Sequence, residues 1–331
     1  MELITDEGIE GLSVIPIGDP ISVAAIIERK LKKLVIGEDP FNSERIWHKM
    51  YLELFRDRKG SAIRAISAVD IALWDIKGKA LNLPLYKLLG GYRDKVPCYA
   101  SVGYYRKGKG VQELVNEMVS YVDKGFKALK MRIGGASLRE DLERVKAVRE
   151  AVGDDIALMV DANHAYTVPE AIKAGKKFEK YEIYWFEDPV WPDDYSGLAK
   201  VADALDVPIA TGELEFLRYG FKELIAHGSA DILLIDATVV GGISEWIKVA
   251  NMASAWNIPI APHWEQEVHM HLAAAFPNVL WLEFFPREDG IRLEDRLYKE
   301  YFEPVQGVLK LSDKPGLGLE LDRESLKKNR I

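Results

Sequence analysis

The chain has 331 residues, too many for one small core and enough for a large domain with a smaller one beside it. Charged residues make up 29% and the net charge is −8, which argues against a nucleic-acid or anionic-membrane partner and is compatible with an acidic pocket that collects a divalent cation. The single cysteine, Cys98, excludes an intrachain disulfide and a cysteine-based zinc site, and the lack of a signal-peptide pattern or an apolar run of about 18 residues makes a cytoplasmic location the expectation.

Residues 1–90 read mainly as helices. "MELITDEGIEGL" suggests a strand end followed by an Asp-Glu-Gly turn. "DPISVAAIIERKLKKLV" and "FNSERIWHKMYLELF" carry apolar residues at three-to-four spacing. "SAIRAISAVDIALWDIKGKALNLPLYKLLGG" is a longer helical pattern, broken at Asn82–Pro84 and stopped by Gly90 and Gly91. From Val96 the texture changes to alternation. Expected strands are Pro97–Val102, Phe126–Arg132, Ile156–Asp161, Ile183–Glu187, Pro208–Ala210, Ile232–Asp236, Pro259–Ala261 and Leu280–Glu283, with helical patterns between them. Such a repeat indicates a (β/α) barrel. A doubly wound sheet competes with it, but "SVGYYRKGKG" after the first strand has no phosphate-binding glycine pattern. "GVLKLSDKPGLGLELD" in the tail 297–331 suggests a hairpin that returns to the N-terminal region.

In a barrel of this kind the chemistry stands at the C-terminal strand ends. Asp161, Glu187 and Glu213 close or follow successive strands at intervals of 26 and 26 residues (161 to 187 to 213). Each alone reads as a helix N-cap or a solvated loop acid. Together they repel unless a cation joins them, and hard oxygen ligands suit Mg2+. His263 follows the seventh strand, and Asp236 from the strand before it can hold one imidazole nitrogen, making the other a better base. Lys130 and Arg132 lie two apart on one strand, hence on one face. Lys130 reads as a solvated amine or as positive charge facing an enolate, and Arg132 as a surface ion-pair former or a carboxylate clamp. Glu283 reads as a rim acid or as a buried, protonated donor to a developing oxyanion.

These residues resemble the enolase superfamily, mandelate racemase subgroup. The resemblance covers nearly the whole chain. It rests on "AISAVDIALWDIKGKALNLPLYKLLGG", the K-x-R at Lys130 to Arg132, "DANHAY", "FEDP", "GE", "IDATVVGGISEWIKVANMASAWNIPIAPHW" and "PGLGLELD". It implies an α/β fold, a (β/α)7β TIM-type barrel over 94–296 with an α+β capping domain formed by 1–93 and the returning segment 297–331. It also implies Mg2+ on Asp161, Glu187 and Glu213, proton abstraction α to a carboxylate by the Asp236–His263 dyad, Lys130 and Glu283 as electrophilic groups, and a homo-oligomer. Asn163 matches a position near the metal that often meets a substrate hydroxyl; otherwise it is a turn residue. His164 touches substrate or is a loop histidine bonded locally. Trp264 lines the pocket beside His263 or simply packs. His269 and His271 lie on different faces of a helix and read as structural, and Cys98 as core.

Two departures from the family pattern stand out. The second lysine of the family's K-x-K is Arg132 here, and a guanidinium stays protonated. A racemase with two opposed bases needs a neutral base on each face, so the expectation is a one-base elimination of water from a sugar acid, giving a 2-keto-3-deoxy acid. Epimerisation of 2-hydroxy acids, or a non-catalytic barrel, are the alternatives. The cap segment is also expected to be short, because the family's first strand and mobile loop precede the segment equivalent to "ITDEGIEG". "SVIPIGDP" is then the expected remainder of the pocket wall.

Overall fold

The computed structural model describes residues 1–16 and 18–328. Its N-terminal part is a hairpin laid on helices. β1 (Glu2–Ile4) and β2 (Glu10–Leu12) pair antiparallel, with Leu3 opposite Gly11. The strand and turn expected from the sequence are thus a complete hairpin. Gly11 permits its close approach to the helix Ser61–Ala80: a Cβ there would stand 2.2 Å from the Ala72 carbonyl oxygen. The pattern at 20–35 is realised as helices Pro20–Ile26 and Lys32–Val35 flanking a π-helical turn, Ile27–Leu31. Asp19 caps it by accepting from the Ile21 N–H at 3.0 Å, with Pro20 in the first turn.

The helix Ser61–Ala80 is buried on nearly every side because two layers enclose it. Ile63, Ile66, Val69 and Leu73 pack with the neighbouring helix Ser43–Leu54, whereas Ile71 joins the core of the larger part. Gly78 admits the tail: a Cβ there would lie 2.6 Å from Gly316 Cα.

The larger part is a mixed α/β arrangement around a curled parallel sheet. β3 (Lys95–Ser101), β4 (Ala128–Arg132), β5 (Ala157–Asp161), β6 (Phe186–Glu187), β7 (Ile209–Thr211) and β8 (Ile232–Leu233) follow one another in sequence order. β9 (Leu282–Phe284) pairs in parallel with the other side of β3. The strand expected at Pro259–Ala261 is reduced to one bridging residue: Ile260 bridges in parallel to Leu233 and to Val279. Strong twist and stagger leave only the middle residues of such strands in paired register. Side chains alternate across the sheet. Tyr99, Met159, Trp185, Ala210 and Leu234 form one cluster on its concave side, and Leu129, Met131, Leu158 and Val160 belong to the helix-facing core.

The tail departs from the expected hairpin. β10 (Val308–Lys310) pairs antiparallel with β3, Leu309 opposite Val96, so the alternating run finds its partner on a distant strand. The following segment does return to the N-terminal part: the Leu317 N–H donates to Asp75 at 2.8 Å and the Leu85 N–H to the Gly316 carbonyl at 2.8 Å. Among the described residues no helix is long and apolar enough to cross a membrane.

Candidate active site at the strand ends

Because β3 to β9 run parallel, their C-terminal ends share one rim, and register decides which side chains meet there. Arg132 pairs across from Asp161, and Asp161 from Glu187. Glu213 lies two residues beyond β7, after Gly212 at φ +122°. Lys130 is buried at the centre. Its Nζ stands 2.5 Å from Glu187 Oε1, 2.7 Å from Glu283 Oε1 and 3.6 Å from Asp161 Oδ2. The Trp185 indole N–H donates to the other Glu187 oxygen at 2.9 Å. Arg132 forms an ion pair with Asp161, whose second oxygen accepts from the Asn163 N–H at 2.8 Å.

The second half of the rim is built on Asp236 and His263. Asp236 caps the short helix Ala237–Val240. One of its oxygens accepts from the Thr238 N–H and hydroxyl, both at 2.7 Å, and the other faces His263 Nδ1 at 3.0 Å. His263 Nε2 lies 3.2 Å from Glu213 Oε2. The Trp264 N–H donates to Glu283 at 2.8 Å, tying the residue after His263 to the end of β9. The Trp264 ring stands beside the imidazole, centroids 5.7 Å apart.

Four non-glycine residues on these loops take left-handed backbone angles: Asn163 (φ 44°), His164 (62°), Asp188 (39°) and Trp264 (66°). Asn, Asp and His tolerate this region; a tryptophan there is strained. Such strain persists only where surroundings hold it, here the Trp264 N–H bond to Glu283.

The electrostatics follow from burial and pairing. Burial opposes ionisation of Asp161, but Arg132 and then Lys130 outweigh it and hold the carboxyl at about 2. Burial opposes ionisation of Glu283 in the same way, and Lys130 and then His263 draw its carboxyl down to about 2. Burial would lower His263, but Glu213 and the hydrogen bond to Asp236 hold its proton up to about 9. Burial also opposes the charge on Arg132, yet Asp161 raises it well above its ordinary value, and it is a permanent cation.

Sequence reasoning passed over one acid of the site. Asp188, directly after Glu187 in "FEDP", is fully buried and bonded to the Thr211 hydroxyl at 2.5 Å through one oxygen only. Two adjacent acids at a strand end were the available signal. Among the described residues, the acid and histidine set whose ligand atoms all lie within 4.8 Å of one another is His164, Asp188 and Glu213. His164 Nδ1 faces the Val190 carbonyl at 3.1 Å, so it carries the hydrogen, and Nε2, buried without a hydrogen bond among the described residues, stands 3.7 Å from Asp188 Oδ2. Glu213 therefore belongs both to this set and to the triad expected from spacing. His269 and His271 are buried and accept backbone N–H groups of Ala237 and Tyr86. Of the expected pocket wall "SVIPIGDP", Ile17 lies outside the described residues, and Gly18 backs onto Arg64.

Comparison with known proteins places this geometry. Residues 113–325 match the family described as enolase C-terminal domain-like, and residues 1–90 match the mandelate racemase / muconate lactonizing enzyme N-terminal domain. The chain is 41% identical over 324 residues to an arabinonate dehydratase of Saccharolobus solfataricus, covering 96% of this chain and 86% of that protein. It is 39% identical over 292 residues to an L-talarate/galactarate dehydratase of Salmonella typhimurium, covering 88% and 72%. Among solved structures, L-talarate dehydratase from Polaromonas sp. JS666, complexed with Mg and L-glucarate, superposes with a TM-score of 0.88 at 35% identity, covering 98% of this chain and 90% of that one. With both halves matched and relatives aligned over most of its length, the chain belongs to the enolase superfamily, in its mandelate racemase subgroup.

Proposed function

We propose that the chain is an acid-sugar dehydratase, a hydro-lyase that removes water from an aldonate or aldarate to give a 2-keto-3-deoxy acid. The observation that carries this reading is the His263–Asp236 pair facing a rim of buried carboxylates across from Lys130, in a chain whose relatives include dehydratases of such acids. The bridges through Ile260 and Val279 support closure of the curled sheet into a (β/α)7β barrel. Residues 1–93 with 297–331 then form the α+β cap over 94–296. A cytoplasmic location, with which a lone, buried Cys98 is in keeping, and a homo-oligomer, as the family resemblance implies, are part of the same reading.

The donor set fits Mg2+. Asp161, Glu187, Asp188 and Glu213 are all buried within one rim; among the described residues one oxygen of Asp188 has no hydrogen-bond partner, and Glu213 Oε2 faces His263 Nε2 at 3.2 Å. Two strand cations, Lys130 and Arg132, do not neutralise that many carboxylates, and an all-oxygen set suits a hard cation. We assign Asp161, Glu187 and Glu213 as the residues that hold it, in preference to the set containing His164. Bound there, Mg2+ supplies positive charge to the substrate carboxylate and acidifies the neighbouring C–H.

The remaining chemistry belongs to the chain. Asp236 holds Nδ1 of His263 and so aims Nε2 at the rim, where it is the group placed to take the α-hydrogen; a cation on Glu213 would weaken that carboxylate's hold on the Nε2 proton. The electron pair of the C–H bond moves into the carboxylate as an enediolate, whose charge faces Lys130. The pair returns to form the Cα–Cβ double bond as the β-hydroxyl leaves, taking the proton from His263 Nε2 and departing as water. The enol then tautomerises to the 2-keto acid. Arg132, a permanent cation, orients carboxylate and cannot serve as the second base of a racemase. Asn163, His164 and Trp264 line the substrate side of this rim.

The test is 2-keto acid formation from a panel of aldonates and aldarates with Mg2+, with and without a chelator. Turnover that requires the metal is expected. Exchange of the α-hydrogen with solvent deuterium, without 2-keto acid, would replace elimination by epimerisation.

A further inference from the structure

Arg64, on the first turn of the helix Ser61–Ala80, is a buried guanidinium that the mechanism above does not use. It is 5% exposed, and its Nη1 has no hydrogen-bond partner among the described residues. Its side chain packs on the Phe216 ring, 5.6 Å from the centroid, in the loop that follows Glu213. Gly18 leaves room for it: a Cβ there would lie 3.2 Å from Arg64 Cδ and Nε.

The register of the helix shows where Arg64 stands. The Ser67 hydroxyl accepts from the Gly241 N–H at 3.1 Å, and Asp70 accepts from the Ser244 N–H at 2.8 Å, both pairs being 174 residues apart. The two segments therefore run side by side in step. One turn before Ser67 brings Arg64 level with Thr238, whose hydroxyl bonds Asp236. The helix thus delivers an unpaired cation to the His263–Asp236 side of the rim. Asp236 is also the charge that acts favourably on Arg64, against a burial that lowers its pKa. Yet Asp236 already accepts from His263 and Thr238.

An unpartnered buried charge is costly, and it persists where a ligand offsets the cost. A hydroxyl would offer this group one acceptor and no charge. A carboxylate offers two acceptors in the geometry that matches a guanidinium. We propose that Arg64 binds the far carboxylate of a sugar diacid, making the chain selective for aldarates over aldonates; this rests on the dehydratase reading of the same site.

Equilibrium binding tests it separately from turnover. In a His263→Asn background with Mg2+, calorimetry would compare galactarate with galactonate and glucarate with gluconate. For at least one pair the diacid is expected to bind at least about 10-fold tighter, and adding Arg64→Met is expected to erase that preference while Arg64→Lys retains part of it. In the ligand-free protein, Arg64→Met is expected to melt at or above the parent temperature, because it removes an unpaired charge; a purely structural arginine would lower it. Equal affinity for diacid and monoacid with Arg64 present, or a lower melting temperature with an unchanged preference, would overturn the assignment. Absence of 2-keto acid from the wild type would overturn the dehydratase reading instead, and leaves the calorimetric preference to decide the role of Arg64.

Discussion

Two regions of this molecule bury carboxylates, and they satisfy them in different ways. On the helix Ser61–Ala80, Asp75 accepts from the Leu12 N–H at 2.9 Å, the Leu317 N–H at 2.8 Å and Lys79 at 2.7 Å. Asp70 accepts from the Ser244 N–H and hydroxyl at 2.8 and 2.6 Å. Both oxygens of each acid are used, mostly by backbone, and the result joins the hairpin, the tail and the sheet-side helices to one long helix. At the rim, Asp161, Glu187 and Glu283 crowd around Lys130 and Arg132, Glu213 Oε2 faces His263 Nε2 at 3.2 Å, and one oxygen of Asp188 has no hydrogen-bond partner among the described residues. A carboxylate whose bonds are complete fixes structure. One left with spare lone pairs among competing charges is arranged for something that arrives later.

The comparison breaks most sharply under mutation. His263→Asn is expected to lower kcat by about a thousand-fold or more, the size of a lost general base, with the melting temperature little changed. Asp75→Ala is expected to do the reverse. It strands the N–H groups of Leu12 and Leu317 in a buried place and costs about 3 to 5 kcal/mol, visible in urea titration, while the folded fraction keeps its kcat. Loss of activity in the folded fraction of Asp75→Ala would erase the distinction between the two regions.

The sequence exposed the rim more readily than the scaffold. Asp161 and Glu187 end apolar runs, and period-two alternation placed Lys130 and Arg132 on one face, because a strand tells its side chains apart by parity alone. Asp188 was hidden by its neighbour: it turns to the rim through a left-handed backbone angle, and no periodicity encodes that. Nothing in the helical pattern singles out Asp70 and Asp75, since their partners lie 174 and 242 residues away. The tail shows the same limit. Alternation in "GVLKL" demanded a strand partner, but β3 supplied it, and nothing local names a distant partner. Pro259–Ala261 pairs through Ile260 alone, so a run that reads as a strand contributes one rung.

A pH titration sharpens the contrast on the scaffold side. His271 is buried against the Tyr86 N–H and the Leu317 carbonyl, away from the rim, and burial depresses it from 6.5 to about 4. A base whose folded value is depressed is neutral in the folded chain and charges in the unfolded one. Its contribution is therefore fully present above pH 6.5 and is lost as the pH falls from 6.5 through 4. The loss is about 3 kcal/mol, and His271→Gln is expected to flatten that limb of a stability–pH curve measured by denaturant unfolding.

The smallest effect tests whether the rim's own supports behave like the scaffold's. Trp185 is fully buried on the concave side of the sheet and gives Glu187 its neutral hydrogen bond at 2.9 Å, while Lys130 gives the charged one at 2.5 Å. Trp185→Phe removes the N–H and keeps an aromatic ring packed at right angles to Tyr99. A carboxylate that loses one neutral donor is less firmly aimed but keeps its charge. The expected change is about 1 kcal/mol, read as a roughly five-fold weaker Mg2+ affinity in calorimetry. If Glu187 were a structural acid like Asp75, the same substitution would appear in the melting temperature and leave Mg2+ affinity alone. A shift in affinity without a matching loss of stability assigns Glu187 to the ion.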